Sequence, residues 1–122
     1  MLIKCDESQD DVVCHLVGDL EHLAVGQFHE AVAQLGRKQH VIFELSGVPF
    51  VDSGGLGALM RTIRRTHQIG GEAVVCAASP AVRKWLQLVA LPRSVNIFDS
   101  LPAAQAYFRA VPDGIVARGR AA

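Results

Sequence analysis

One hydroxyl stands where chemistry could happen. Ser53 follows a carboxylate, Asp52, and precedes Gly54, Gly55, Leu56 and Gly57, so it lies where an apolar run ends and an amphipathic helix begins. A helix start carries unsatisfied amides and the positive end of the helix dipole. A serine there can cap the helix and, once phosphorylated, keep its phosphate beside those amides. Three other chemistries fail on spacing. The glycines form neither G-x-G-x-x-G nor G-x-x-x-x-G-K-[ST], and no lysine follows to reach a nucleotide phosphate. A nucleophile elbow needs glycine two residues before the serine, where Val51 stands. A Ser-His-Asp triad can be drawn from Ser53, Asp52 and any histidine, but adjacent side chains on a turn do not converge and nothing positions a base. The chain does not read as an enzyme.

The remaining reactive side chains read as structural. His22 and His29 are seven apart on one expected helix with no third ligand near in sequence, so no metal site is expected. Cys5, Cys14 and Cys76 fall in expected strands without C-x-x-C spacing. They are read as small buried hydrophobes, neither a zinc site nor a disulfide framework.

These residues must be held by a scaffold, and its elements are legible. Leu2 to Lys4 and Asp11 to Val17 read as two strands of a hairpin, and His22 to Gly36 as a helix carrying Leu23, Phe28, Val32 and Leu35. Val41 to Leu45 is a short β-branched and aromatic run suited to a strand buried on both faces. From Ser53 onward, Leu56, Leu59, Met60 and Ile63 make one apolar stripe, with Arg61, Arg64 and Arg65 opposite it as a basic patch. Gly70-Gly71 stops that helix, and Glu72 to Ala77 supplies a buried strand. Ser79-Pro80 is a cap followed by proline at the first helical position, with Val82, Trp85, Leu86 and Val89 expected to face the core and Leu91-Pro92 to close the helix. Val95 to Phe98 is a short strand, and Ser100-Leu101-Pro102 opens a last helix through Ala110. Phe50 is also expected in or near the core.

Strict strand-helix alternation after the second strand favours a mainly parallel sheet with right-handed crossovers and an antiparallel N-terminal edge strand, packed by about four helices. With 122 residues, half of them apolar, this is one α/β domain that buries roughly two thirds of its unfolded surface. The domain is expected over residues 1–111, with a flexible tail over residues 112–122 that is rich in Ala, Gly and Arg. Twelve basic residues balance twelve acidic ones, so no global field draws the chain to nucleic acid or an anionic membrane. A protein partner is expected. The first eleven residues lack a basic start and an apolar run, and no apolar stretch approaches ~20 residues, so a cytoplasmic protein without a membrane span is expected.

A family resemblance sharpens this. The run from Val41 to Gly57, ending in Asp52-Ser53-x-Gly55-Leu56-Gly57, resembles STAS domains, specifically the bacterial anti-sigma factor antagonists. The likeness continues in Gln68 to Cys76 and in Ser79-Pro80-Ala81-Val82-Arg83-Lys84, and Gly18-Asp19-Leu20-Glu21 resembles the family's Gly-Glu-Leu-Asp. It spans Val12 to Phe108. One position departs: the residue after the serine is usually Ser or Thr in the family and is Gly54 here. The resemblance implies a switch in which an anti-sigma serine kinase of the histidine-kinase-like ATPase type binds the unmodified form. That kinase phosphorylates the residue corresponding to Ser53 and is thereby released, and a PP2C-type phosphatase resets the serine. ATP and Mg²⁺ belong to the kinase, so no cofactor is expected on this chain. The expected partner surface comprises Asp52, Ser53, Gly54, Gly55, Leu56, Glu21, Arg61 and Arg64, with Glu21, Glu44 and Asp52 forming an acidic rim near the serine. Two alternatives stay open. One is a non-phosphorylated STAS module of a transport or stress-signalling complex, toward which Gly54 points. The other is a sensor of a small ligand such as a nucleotide or lipid.

Overall fold

A strand in the middle of a parallel sheet is covered on both faces, and β3 (His40–Gly47) is: His40 through Leu45 are all buried, with Val41, Ile42, Phe43 and Leu45 supplying the apolar surface. Parallel neighbours flank it, β2 (Val12–Val17) on one side and β4 (Glu72–Cys76) on the other. The computed structural model describes residues 1–7, 11–35, 40–89 and 95–110. Its five strands lie in chain order, with β1 (Leu2–Glu7) antiparallel to β2 at one edge and β5 (Ile97–Phe98) parallel to β4 at the other. The helices are α1 (Val25–Ala33), α2 (Ser53–Gln68), α3 (Pro80–Val89) and α4 (Leu101–Ala110). The α/β class and the mixed sheet with its antiparallel edge are as the alternation of elements implies.

Side chains alternate across the sheet, so each strand feeds two cores. Val41, Phe43 and Leu45 join Phe28 of α1, Leu56, Leu59 and Ile63 of α2, and Val82 and Leu86 of α3. On the other face, Ile42, Val13, Val74 and Cys76 lie under Ala104 and Phe108 of α4. The second face also holds polar groups. Buried Glu72 accepts hydrogen bonds from the Tyr107 hydroxyl at 2.6 Å and the Asn96 amide at 2.9 Å, which ties β4 to α4. The caps of α3 and α4 fall where the sequence places them, because the Ser79 hydroxyl accepts from the Val82 amide and the Ser100 hydroxyl from the Ala103 amide.

Several expectations are corrected. His22–Ala24 is a 3₁₀ turn rather than the start of an α-helix, closed by the Ala24 amide donating to the Glu21 carbonyl at 2.8 Å, and α1 begins at Val25. Leu23 therefore leaves the helical register and is 77% exposed. Trp85 is 54% exposed, because the buried stripe of α3 runs through Val82 and Leu86 and the indole lies on its flank. Phe50 is 51% exposed: Val48 and Val51 turn inward and the loop between them turns outward. Cys14 and Cys76 are buried as expected, whereas Cys5 is only partly covered, on an edge strand. The tail over residues 112–122 and the Leu91-Pro92 helix end lie outside the described residues.

Candidate functional site

Parallel strands deliver their carboxyl ends to one edge of a sheet, and there the chain after β2 meets the chain after β3. The Gly18 amide donates to the Gly47 carbonyl at 2.8 Å, Leu20 to Phe50 at 2.9 Å, and Asp52 to Leu20 at 3.2 Å. A parallel bridge between Leu20 and Val51 completes this zipper. It presses the Leu20–Glu21 backbone against the start of α2. A Cβ on Gly55 would lie 2.0 Å from the Leu20 carbonyl oxygen and 2.5 Å from its carbon, so only glycine allows this approach.

Asp52, not Ser53, is the helix cap. It is extended, at φ −109° and ψ 178°, and its Oδ1 accepts from the Gly55 amide at 2.8 Å. Its other oxygen accepts from the His22 amide at 3.0 Å and lies 3.4 Å from His22 Nδ1. Hydrogen bonds from the Gly55 and His22 amides, and then the imidazole, hold its carboxyl below the ordinary range. With the cap supplied by its neighbour, Ser53 is the first residue of α2 and is exposed. Its hydroxyl is displayed to solvent at the positive end of a helix 16 residues long.

Gly54 has its own cause. A Cβ there would come within 2.7 Å of His22 Cβ and 3.2 Å of His22 Cα. The 3₁₀ turn is docked on the helix start, held there by the Asp52 carboxylate, and leaves no room for a side chain at residue 54. The departure from the family pattern is thus coupled to His22, a residue that sequence reasoning weighed as a metal ligand, a helix start and one of several candidate triad bases, and never as a neighbour of residue 54. The available signal was the missing hydroxyl itself.

The other named residues divide. Glu21 lies beside the helix start, its backbone against Gly55. Leu56 and Gly55 are buried and support the site from within. Arg61, Arg64 and Arg65 are exposed along one side of α2, and the Arg61 guanidinium reaches back to Gly57. Glu44 does not join the rim. It projects from the α4 face of the sheet, where its carboxylate meets His15 Nδ1 at 3.2 Å and accepts from the Ser46 amide at 3.0 Å. Two exposed apolar residues missed by the sequence reading, Leu23 and Phe50, stand on the two loops that the zipper joins.

A family model described as the STAS domain matches residues 3–104. The chain belongs to the STAS domain family. Its curated relatives include an anti-sigma F factor antagonist of Paenibacillus polymyxa, 28% identical over 102 residues, covering 80% of this chain and 86% of that protein. An anti-sigma F factor antagonist of Lysinibacillus sphaericus is 30% identical over 87 residues, 69% of this chain and 74% of that protein. Among solved structures, the Bacillus cell fate determinant SpoIIAA in its phosphorylated form shares the fold with a TM-score of 0.67 at 23% identity, over 87% of this chain and 99% of that one. Unphosphorylated SpoIIAA gives 0.68 at 23% identity, over 89% and 97%. No helix among the described residues is long and apolar enough to cross a membrane.

Proposed function

We propose that this STAS domain is an anti-sigma factor antagonist switched by phosphorylation of Ser53. The observation that carries the reading is the division of labour at the start of α2: Asp52 caps the helix, so the neighbouring hydroxyl is left exposed for a kinase. The relatives named as anti-sigma F factor antagonists and the phosphorylated form of SpoIIAA support it. The unmodified surface around Ser53, with Leu23, Phe50 and the Arg61–Arg64 side of α2, binds an anti-sigma serine kinase of the histidine-kinase-like ATPase type. That binding frees the sigma factor or other client. The kinase brings ATP and Mg²⁺; this chain supplies only the acceptor.

Phosphate then adds about −1.5 to −2 charges where a neutral hydroxyl met the partner. It arrives beside Asp52, already ionised and engaged with His22 and Gly55. An interface closed around Ser53 would bury an unmatched charge, and the complex parts. A PP2C-type phosphatase restores the hydroxyl. The docked His22 gives Gly54 a steric cause of its own, which supports this reading over a non-phosphorylated module.

The test is incubation with ATP and an anti-sigma kinase that binds the chain, followed by intact-protein mass and binding measurements. Wild type should gain one phosphate and lose affinity, Ser53→Ala should bind persistently with or without ATP, and Ser53→Asp should weaken binding only in part. A wild type that binds the kinase and gains no phosphate, or a phosphate that persists in Ser53→Ala, overturns the reading.

A further inference from the structure

The first two strands hold a pair of thiols that a serine switch does not use. Cys5 of β1 and Cys14 of β2 are direct partners in the antiparallel register, and their sulfurs are 3.2 Å apart. Both are free thiols. Directly opposed residues of an antiparallel pair have Cα atoms about 4.5 to 5.5 Å apart, inside the range a disulfide spans, so joining them needs no rearrangement of the strands.

Their surroundings are unequal, and this asymmetry gives each sulfur a role. Cys5 is partly exposed and lines an open groove of about 510 Å³ between β1 and α1, with Gln27, Glu30 and Gln34 along its helix side and Glu7 on its own strand. Cys14 is buried in the core. Burial, then its hydrogen bond to Cys5, pushes its thiol well above the usual range. Cys5 is therefore the sulfur that an oxidant in the groove can reach, and Cys14 lies behind it within hydrogen-bond distance. Cys76 is a bystander on the other face of the sheet, pushed up to about 12 by burial and then by the Glu44 charge.

We propose that Cys5 and Cys14 are an oxidation site, in which Cys5 reacts with a small hydroperoxide entering the groove and Cys14 closes a reversible cross-strand disulfide. In the first step the Cys5 thiolate attacks one peroxide oxygen. The O–O bond breaks, a sulfenic acid forms on Cys5, and the departing oxygen leaves as water or an alcohol, taking up the proton that the Cys5 thiol released on ionising. In the second step the Cys14 sulfur attacks the Cys5 sulfur. The S–S bond forms as the S–O bond breaks, and the hydroxide departs as water with the Cys14 proton. Two thiols lose two electrons, and the peroxide is reduced by two. The carboxylates of Glu7 and Glu30 on the groove select for neutral oxidants over anionic ones. A thiol donor reverses the bond by exchange.

The experiment treats the folded chain with hydrogen peroxide and reads intact mass, thiol titre and non-reducing peptide maps. Wild type should lose two of its three thiols and two hydrogens in mass, with Cys5 and Cys14 in one peptide pair and full recovery in dithiothreitol. Cys14→Ser should stop at a sulfenic acid on Cys5 that dimedone captures. Cys5→Ser should leave Cys14 reduced, with oxidation slowed at least ~10-fold, since a buried thiol with little thiolate is inert. Cys76→Ser should behave as wild type. Further oxidation of wild-type Cys5 while Cys14 remains a thiol, or disulfides formed only between chains, would overturn the proposal.

Discussion

Substituting Gly55 by alanine tests whether the zipper between the two loops builds the site. A Cβ at residue 55 would sit 2.0 Å from the Leu20 carbonyl oxygen, with the Leu20 carbonyl carbon at 2.5 Å and the Glu21 nitrogen at 3.0 Å. All three are backbone atoms, so no rotamer change relieves the overlap, and the loop must retreat by about 1.4 Å to regain ordinary contact. Retreat stretches the Leu20–Phe50 and Asp52–Leu20 hydrogen bonds, each worth about 0.5 to 1.5 kcal/mol net. It also loosens Leu20, which is fully buried. Alanine's helix propensity returns at most about 1 kcal/mol, so Gly55→Ala should lose about 2 to 4 kcal/mol of a stability typically between 5 and 15. Gly57→Ala is the control two residues on. Its Cβ would meet only the Arg61 guanidinium at 3.2 Å, the far end of a flexible side chain, so it should gain about 0.5 to 1 kcal/mol. Urea denaturation of the three proteins reads both signs. A Gly55→Ala protein as stable as Gly57→Ala would refute the claim that close backbone approach dictates that glycine.

Reversing Arg61 and Arg64 to glutamate should slow association with the kinase, most clearly at low salt; association rates unchanged at low ionic strength would reduce these exposed residues to solubilising surface. Phe50→Ala should cost less than about 1 kcal/mol in stability, because half the ring is already in water, yet weaken kinase binding, whereas Phe28→Ala, fully buried, should cost about 3 to 5 kcal/mol. Burial pushes the Glu44 carboxyl up, but hydrogen bonds from Ser46 and His15 outweigh it and hold the group below its ordinary value. Its contribution is therefore present above the unfolded carboxylate range and lost as pH falls through the lower folded value. Glu44→Gln should flatten the loss of urea midpoint below about pH 4.5, and an acid limb as steep as that of wild type would show that Glu44 is not its source.

The order of elements, the two-sided burial of β3 and the exposed basic side of α2 were all written in local periodicity, because burial on one face of a helix or both faces of a strand leaves a repeat in the chain itself. The exposure of Ser53 was legible too, as a hydroxyl at a helix start, although the cap fell to Asp52, whose carboxylate can serve the Gly55 amide and the His22 backbone together. What the chain could not show were relations between segments far apart in sequence. Gly54 is explained only by His22, which reaches it across the sheet edge, and Cys5 meets Cys14 only through the hairpin register. Glu44 is drawn to His15 by a neighbouring strand rather than to the serine by its own loop. Phe50 and Trp85 share the apolar character of core residues, and their outward placement was decided by which neighbours, Val48 and Val51 or Val82 and Leu86, had already filled the interior. Local pattern states that a side chain can be buried; packing of the whole chain decides whether space remains for it.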